Sequence, residues 1–197
     1  VVPFLKVFEA TVRSCTQNGI RGGSATVHFP IWHQEIEDIL VLKNNKGTDD
    51  NRVRKLDYSI QISKIFYERL LSDSEITLFS PHDVEDMYEA FGHDNEKFDQ
   101  LYLKYEADRK TPKKKIKAMD LFSALLKERA ETGRIYVMNI DHANSHSSFK
   151  DPVRMSNLCQ EITLPTKPIQ DIHDNEGEIA LCILSAINVG TLKAIDD

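Results

Sequence analysis

Apolar residues near the start of the chain fall at the spacing of one helix face, at Phe4, Leu5, Phe8 and Val12. The helix that they predict stops near Asn18-Gly19, where a glycine-rich stretch begins. Residues 24–29 then have the pattern of a strand, and residues 34–42 have the pattern of a second amphipathic helix. Helical and strand patterns therefore already alternate within this first part of the chain.

The same alternation continues through the middle of the chain. Tyr58, Ile60 and Ile62 are spaced as in a strand, which leads into a helix whose apolar residues are Ile65, Phe66, Leu70 and Leu71. Residues 76–79 predict a short apolar strand, and Ser80-Pro81-His82-Asp83 has the turn and cap composition of a helix start. Residues 84–107 are predicted to be helical in two pieces, broken at Gly92.

A strong helix is predicted over residues 119–129, with one apolar face formed by Leu121, Phe122, Leu125 and Leu126. Gly133 is its expected C-cap. A strand over 134–138, a polar loop over 139–154 and a buried strand over the apolar run 179–187 complete the pattern. Repeated strand-helix units of this kind predict the α/β fold class with parallel pairing.

Composition places the chain among globular proteins, because 41% of its 197 residues are hydrophobic and 28% are charged. The net charge of -6 argues against nucleic acid as a partner. No run of 18 apolar residues is present, so a membrane span is not expected, and a cytoplasmic protein fits best. The chain opens inside a predicted helix without an initiator Met, which indicates a processed chain or a piece of a longer one.

The three cysteines, Cys15, Cys159 and Cys182, are too few and too far apart for a disulfide scaffold. In an extended segment Asn157, Cys159 and Glu161 project to one side, so an amide, a thiol and a carboxylate converge there. Such a group supports thiol chemistry beside a general base. Cys182 lies in an apolar run, where a free cysteine usually acts as a small hydrophobe, and a chemical role for it requires a second thiol nearby.

Three further features have both a functional and a structural interpretation. The glycine-rich stretch 15–24, with Gln17 and Arg21, suits close approach to a nucleotide, although a flexible turn into a strand is the simpler interpretation. His142 and His146 have the spacing of a helical metal pair but lie among loop-forming residues, so no metal site is expected. The basic run over 109–117 is interpreted as a solvated connector rather than a phosphate-binding patch.

Several ordered segments together resemble the large subunit of class I ribonucleoside-diphosphate reductases, over nearly the whole chain. The matching segments are Arg21-Gly22-Gly23-Ser24-Ala25-Thr26, Leu40-Val41-Leu42-Lys43-Asn44-Asn45, Leu78-Phe79-Ser80-Pro81-His82-Asp83-Val84, Glu128-Arg129-Ala130-Glu131-Thr132-Gly133-Arg134-Ile135-Tyr136, Ser156-Asn157-Leu158-Cys159-Gln160-Glu161-Ile162 and Gly177-Glu178-Ile179-Ala180-Leu181-Cys182. Many ordered matches are far more specific than any single motif.

The resemblance implies part of a ten-stranded α/β barrel, with the radical cysteine on a loop that enters the barrel centre. It implies that Cys159 is this cysteine, abstracting the 3' hydrogen of a ribonucleoside diphosphate. Glu161 is then the general base at the 3' hydroxyl, and Asn157 hydrogen-bonds the ribose. Cys182 matches one member of the redox pair that reduces the 2' carbon, and Gln17 and Arg21 match base-contacting positions of the loop that responds to the allosteric effector.

The resemblance also implies the partners: the rest of the large subunit, a metal-containing small subunit that supplies the radical, and thioredoxin or glutaredoxin as reductant. Nucleoside di- and triphosphates with Mg are the expected substrates and effectors, and no cofactor is expected to be bound covalently. Residues 1–197 are expected to be one segment of the barrel domain, without the N-terminal regulatory domain and the C-terminal half of the barrel. Two alternatives stay open: a non-catalytic nucleotide-binding or assembly fragment, and a thiol-redox or metal protein built on Cys159, Cys182, His142 and His146.

Overall fold

The computed structural model describes residues 1–181, 183, 185–188 and 190. The chain divides into two units, Val1–Pro165 and Thr166–Asp197. The helices of the first unit are α1 (Val2–Ser14), α2 (Ile36–Leu40), α3 (Lys64–Leu71), α4 (Glu85–Ala90), α5 (Asn95–Ala107), α6 (Ala118–Thr132) and α7 (Ile140–Ser145). Its strands are β1 (Thr16–Gln17), β2 (Arg21–Gly22), β3 (Thr26–Pro30), β4 (Asp57–Ile62), β5 (Glu75–Leu78), β6 (Lys114–Lys117) and β7 (Ile135–Asn139).

A three-stranded parallel sheet in the order β3-β4-β7 organises the first unit. The connection from β3 to β4 passes through α2, and the longer connection from β4 to β7 contains α3 to α6. Parallel neighbours require such crossovers, which usually carry helices. The predicted α/β class with parallel pairing is therefore confirmed, although three strands alone do not close a barrel.

The central strand, β4, is buried along its whole length, but its two faces differ in chemistry. Tyr58, Ile60 and Ile62 point to one face, and Asp57, Ser59 and Gln61 point to the other, because side chains alternate along a strand. The strand register continues the second face onto the neighbouring strands. We call it the polar face and define it by Thr26, His28, Asp57, Ser59, Gln61 and Tyr136.

An aromatic cluster fills the core beside the sheet. The ring centroids of Trp32 and Phe91 lie 5.5 Å apart, and those of Phe91 and Phe98 lie 5.1 Å apart. Gly92 lies in the turn that separates α4 from α5, as predicted, and has a φ of 86°. A Cβ atom at this position would lie 2.3 Å from Ile140 Cγ1, so the turn requires glycine for space as well as for backbone conformation.

Replacing Gly92 with alanine is therefore expected to lower the free energy of unfolding by about 2–4 kcal/mol, from overpacking and a strained φ together. Gly133 offers a matched control, because its φ is 66° but a Cβ there meets nothing within 4 Å. Gly133→Ala is expected to cost only about 1 kcal/mol. Urea unfolding followed by the fluorescence of Trp32, the single tryptophan, measures both; equal losses would show that Ile140 gives way freely.

Several expected local features are corrected by the structure. Residues 140–145 form α7 inside the predicted polar loop. Lys114–Lys117 form β6 inside the basic run, because this segment pairs antiparallel with β5. Leu71, one of the apolar residues of the predicted helix, is 88% exposed at the last residue of α3. Leu126 on α6 is also exposed, and on α1 Leu5 is buried while other apolar side chains of that helix face solvent.

The expected buried strand over 179–187 is wrong for the residues that the structure describes there. Ile179, Leu181, Ile183 and Ile187 are all exposed, and none belongs to a strand. Among the described residues of the second unit, Lys167 and Glu178 form an isolated antiparallel bridge. An apolar run becomes a buried strand only where neighbouring backbone completes a ladder, and pattern alone does not supply that neighbour.

Candidate functional site

The predicted effector-responsive segment forms a β-hairpin directly after α1. Strands β1 and β2 pair antiparallel, with Gln17 directly opposite Arg21. Asn18 and Gly19 both have positive φ, as an Asn-Gly hairpin turn requires. The two residues expected to contact a base are thus cross-strand neighbours, which places an amide beside a guanidinium.

Gly23 holds this hairpin against the end of α1. A Cβ atom at Gly23 would lie 2.1 Å from the Val12 carbonyl oxygen and 2.7 Å from that of Cys15. Only glycine permits this approach, so the glycine-rich composition has a local structural cause. The close packing fixes the hairpin immediately before β3 begins at Thr26.

The residues expected to carry the chemistry lie on a tight turn rather than on an extended segment. The Gln160 N–H donates to the Asn157 carbonyl oxygen at 3.2 Å, and Gln160 has a φ of 68°. Asn157 Oδ1 accepts from Ile162 N at 3.0 Å and from Ser156 Oγ at 3.2 Å. The expected alternation of Asn157, Cys159 and Glu161 on one strand face is therefore wrong, because these bonds reverse the chain.

The polar face of the sheet holds this turn from below. Thr26 Oγ1 donates to the Leu158 carbonyl oxygen at 2.6 Å, and the Gln160 amide donates to Ser59 Oγ. Further along the same face, Gln61 Nε2 donates to the Arg154 carbonyl oxygen at 2.6 Å. Backbone and side chains of the turn are thus tied to both β3 and β4.

His28 provides another contact between the sheet and the turn. Its Nε2 accepts from Ser156 N at 3.4 Å, and burial lowers its pKa, so the imidazole is neutral near pH 7. A neutral ring that accepts at Nε2 carries its proton on Nδ1. That Nδ1 is buried and makes no hydrogen bond to the described residues.

Anchoring and exposure are divided along the turn. Asn157, Leu158 and Gln160 are half-buried, whereas Cys159 and Glu161 are exposed. Burial and the charge of Asp57 raise the pKa of the Tyr136 phenol, and Cys159 and Glu161 raise it further, so both lie within electrostatic range of Tyr136. The thiol and the carboxylate are therefore both exposed and both close enough to Tyr136 to affect its charge state.

A cleft of about 360 Å³ joins the hairpin to the turn. Its lining is Cys15, Thr16, Gln17, Arg21, Gly22, Gly23, Ser24 and Leu158. Leu158 directly precedes Cys159, so a molecule in this cleft contacts the base-contacting candidates and the thiol-bearing turn together. Clefts beside a sheet with a few convergent polar groups are the usual places for small ligands.

Comparison with known proteins shows the family of this chain. The family model described as the ribonucleotide reductase barrel domain matches residues 1–196. The chain belongs to the ribonucleotide reductase family. It is 57% identical to the alpha subunit of ribonucleoside-diphosphate reductase of Buchnera aphidicola from Acyrthosiphon pisum, over 100% of this chain and 26% of the relative.

Two further relatives carry the same family name. The chain is 57% identical to the alpha subunit of ribonucleoside-diphosphate reductase of Haemophilus influenzae, over 99% of this chain and 26% of that protein. It is 55% identical to the reductase 1 alpha subunit of Escherichia coli K12, over 86% of this chain and 23% of that protein. The chain thus spans about a quarter of the length of the curated relatives that it matches, and the resemblance seen in the sequence is confirmed.

Other candidate features of this ribonucleotide reductase segment have different outcomes. Cys182 lies outside the described residues, so its surroundings stay a prediction. The rings of His142 and His146 lie 5.7 Å apart near the end of α7. Within the part of the chain that the structure describes, no group of three or more His, Cys, Asp or Glu side chains is placed to hold a metal ion. No described helix is long and apolar enough to cross a bilayer.

Sequence reasoning missed the side chains of β3 and β4 that hold the turn over residues 157–161. Asp57, Ser59 and Gln61 alternate with Tyr58, Ile60 and Ile62, a pattern that is usual for a strand with one face in water, so it gave no sign that the polar side chains of β4 are buried. The Asn-Gly pair at 18–19 was likewise a hairpin signal that was interpreted as a helix stop.

Proposed function

We propose that this chain is the segment of a class I ribonucleotide reductase large subunit that carries the radical chemistry. The supporting observation is the anchored turn, in which an exposed thiol and an exposed carboxylate flank Gln160 above the polar face. Rigid anchoring with free reactive groups is what positioned catalysis requires. The activity belongs to the complete large subunit, working with a metal-containing small subunit that supplies the radical.

In the proposed reaction the Cys159 thiyl takes the 3' hydrogen of a ribonucleoside diphosphate, which forms an S–H bond and a carbon radical. Glu161 accepts the proton of the 3' hydroxyl as that radical forms. Asn157 uses its Oδ1 within the turn, so its Nδ2 group is the one available to donate to a ribose oxygen. The substrate is thereby held at two points beside the thiol.

Cys182 is proposed as one of the two thiols that reduce the 2' carbon. The 2' hydroxyl leaves as water, and the thiol pair supplies two electrons and becomes a disulfide that thioredoxin or glutaredoxin reduces again. The Cys159 S–H then returns its hydrogen to the 3' carbon radical, which re-forms the thiyl. The partner thiol lies elsewhere in the large subunit. Nucleotides are proposed to bind with Mg, and the location is proposed to be cytoplasmic.

A chimera tests this proposal directly. This chain replaces the matching quarter of the Haemophilus influenzae alpha subunit, and the product is assayed with the small subunit for conversion of a ribonucleoside diphosphate to its deoxy form. Turnover by the chimera supports a catalytic segment. A folded chimera that binds nucleotides without turnover would instead indicate a segment that keeps only binding or assembly.

The hairpin is proposed to pass effector identity to the substrate base through the cleft that it shares with Leu158. Arg21→Ala is expected to reduce the effector-induced change in substrate preference by about tenfold, because allosteric couplings usually lie within 5–150-fold. Arg13→Ala, an exposed arginine on α1, is the matched control. Competing substrates assayed with and without effector measure the change; an unaltered preference in the Arg21 variant would remove this residue from the pathway.

A further inference from the structure

The directions of Cys159 and Glu161 depend on the residue between them. Neither side chain makes a hydrogen bond to any residue that the structure describes, and both are exposed. Because no side-chain hydrogen bond fixes them, the position of each group depends chiefly on the backbone that carries it. Gln160 is therefore the residue whose conformation sets the angle between the thiol and the carboxylate.

The conformation of Gln160 is one that non-glycine residues seldom adopt. Its φ of 68° lies in the left-handed region, which is unfavourable for a residue with a Cβ. The turn bond from its N–H to Asn157 O closes the loop on one side. A second bond is needed to hold the residue there, and its side chain provides one.

That second bond reaches the most constrained strand of the sheet. The Gln160 amide donates to Ser59 Oγ, and Ser59 is fully buried. Ser59 lies in the centre of β4, paired with His28 on one side and Tyr136 on the other. A strand hydrogen-bonded on both edges moves little, so it is a suitable reference for the turn.

The other hydrogen bonds from the sheet to the turn lie before the thiol and do not act between the two reactive groups. Thr26 holds the Leu158 carbonyl, and His28 holds the Ser156 N–H. The Gln160 to Ser59 bond is attached between Cys159 and Glu161. Loss of the Thr26 bond shifts the turn as a body, whereas loss of the Ser59 bond changes the angle between its two reactive residues.

We propose that Gln160 is a positioning residue for Cys159 and Glu161, and that it acts through its hydrogen bond to Ser59. The inference rests on the proposed function for its effect on turnover, but not for its effect on the turn. Gln160 touches no substrate in this role. Its contribution is to orient the thiol and the base toward the same ribose.

The test uses the complete large subunit carrying this segment, assayed with its small subunit. Gln160→Met keeps the length of the side chain and removes the donor, and Ser59→Ala removes the acceptor. Each is expected to lower kcat about three- to tenfold, the range that one lost neutral hydrogen bond supports, with KM within about twofold. Gln100→Met, on the exposed side of α5, is the matched control and is expected to keep kcat.

The double variant separates positioning from general damage. If both residues act through one bond, the variant that combines Gln160→Met with Ser59→Ala loses no more kcat than the more impaired of the two single variants. Multiplying losses, a loss confined to KM, or unchanged kcat in Gln160→Met would each overturn the proposal. Ser59→Ala is the smaller change and covers the case in which the longer side chain disturbs folding.

A readout without turnover distinguishes this inference from the proposed function. Iodoacetamide labels the resting subunit, and the rate at Cys159 is compared with that at the exposed Cys15. The Cys159 rate is expected to rise at least about threefold in Gln160→Met, because a turn that is no longer held to Ser59 presents the exposed thiol to the reagent in more orientations. An unchanged rate overturns the positioning role even if Cys159 proves catalytic, and a raised rate supports it even if turnover depends on another residue.

Discussion

Deoxynucleotide formation is expected to stop when Cys159 is replaced by serine in the completed enzyme. The O–H bond of serine is too strong to yield an equivalent radical, so hydrogen abstraction has no substitute reagent in the turn. A fall of more than about 10³-fold in turnover is expected, as for other lost nucleophilic or radical side chains. The turnover assay uses the complete large subunit with its small subunit.

Binding measurements supply the control for this variant. Cys159 makes no hydrogen bond to the described residues, so serine leaves the turn, the anchors and the cleft in place. Substrate and effector affinities are therefore expected to stay close to those of the unchanged protein. Full activity of Cys159→Ser would remove the central residue of the proposed mechanism.

Glu161→Gln is expected to produce the second largest loss. The amide keeps the size of the side chain but accepts no proton from the 3' hydroxyl. Loss of a general base usually lowers kcat about 10²–10⁴-fold, with little change in KM when binding is unaffected. Glu75→Gln, an exposed glutamate on β5, is the matched control and is expected to keep full turnover.

The separation of kcat from KM gives this second prediction an independent check. A base that acts in the chemical step lowers kcat when it is lost, whereas a residue that only binds the substrate raises KM. A loss that appears only in KM would therefore assign Glu161 to binding rather than to proton transfer.

The strands and long helices of this chain were largely predictable, because their apolar residues recur at the spacing of the face that each element buries. Tyr58, Ile60 and Ile62 indicated β4, and Gly133 ends α6 in the left-handed conformation as expected. Both predictions rest on local rules, alternation along a strand and the conformational freedom of glycine. The parallel α/β class followed from the same reasoning.

Pairing partners are not encoded in such local patterns. Lys114–Lys117 has no apolar alternation, yet it forms β6 because β5 supplies a ladder. The apolar run near the end of the chain has the opposite outcome, since its described residues have no such neighbour. In both cases tertiary context decides and composition does not.

The site residues stay predictions from the motif, and the structure corrects the geometry that was expected for them. Asn157, Cys159 and Glu161 were identified from the motif, but strand-like alternation was assumed for them. The left-handed backbone at Gln160 overturns that assumption, and a glutamine there gives no local warning of it. The side chains that hold the turn come from β3 and β4, about a hundred residues earlier in the sequence, so only the folded chain reveals them.

The central claim is that Cys159 removes the 3' hydrogen of a ribonucleoside diphosphate. The most direct test is a competition between 3'-deuterated and unlabelled substrate in the chimera that contains this chain. If the C–H bond is broken on the path to product, the unlabelled substrate reacts faster and the remaining substrate becomes enriched in deuterium. Turnover that leaves the isotope ratio of the remaining substrate unchanged would contradict the account.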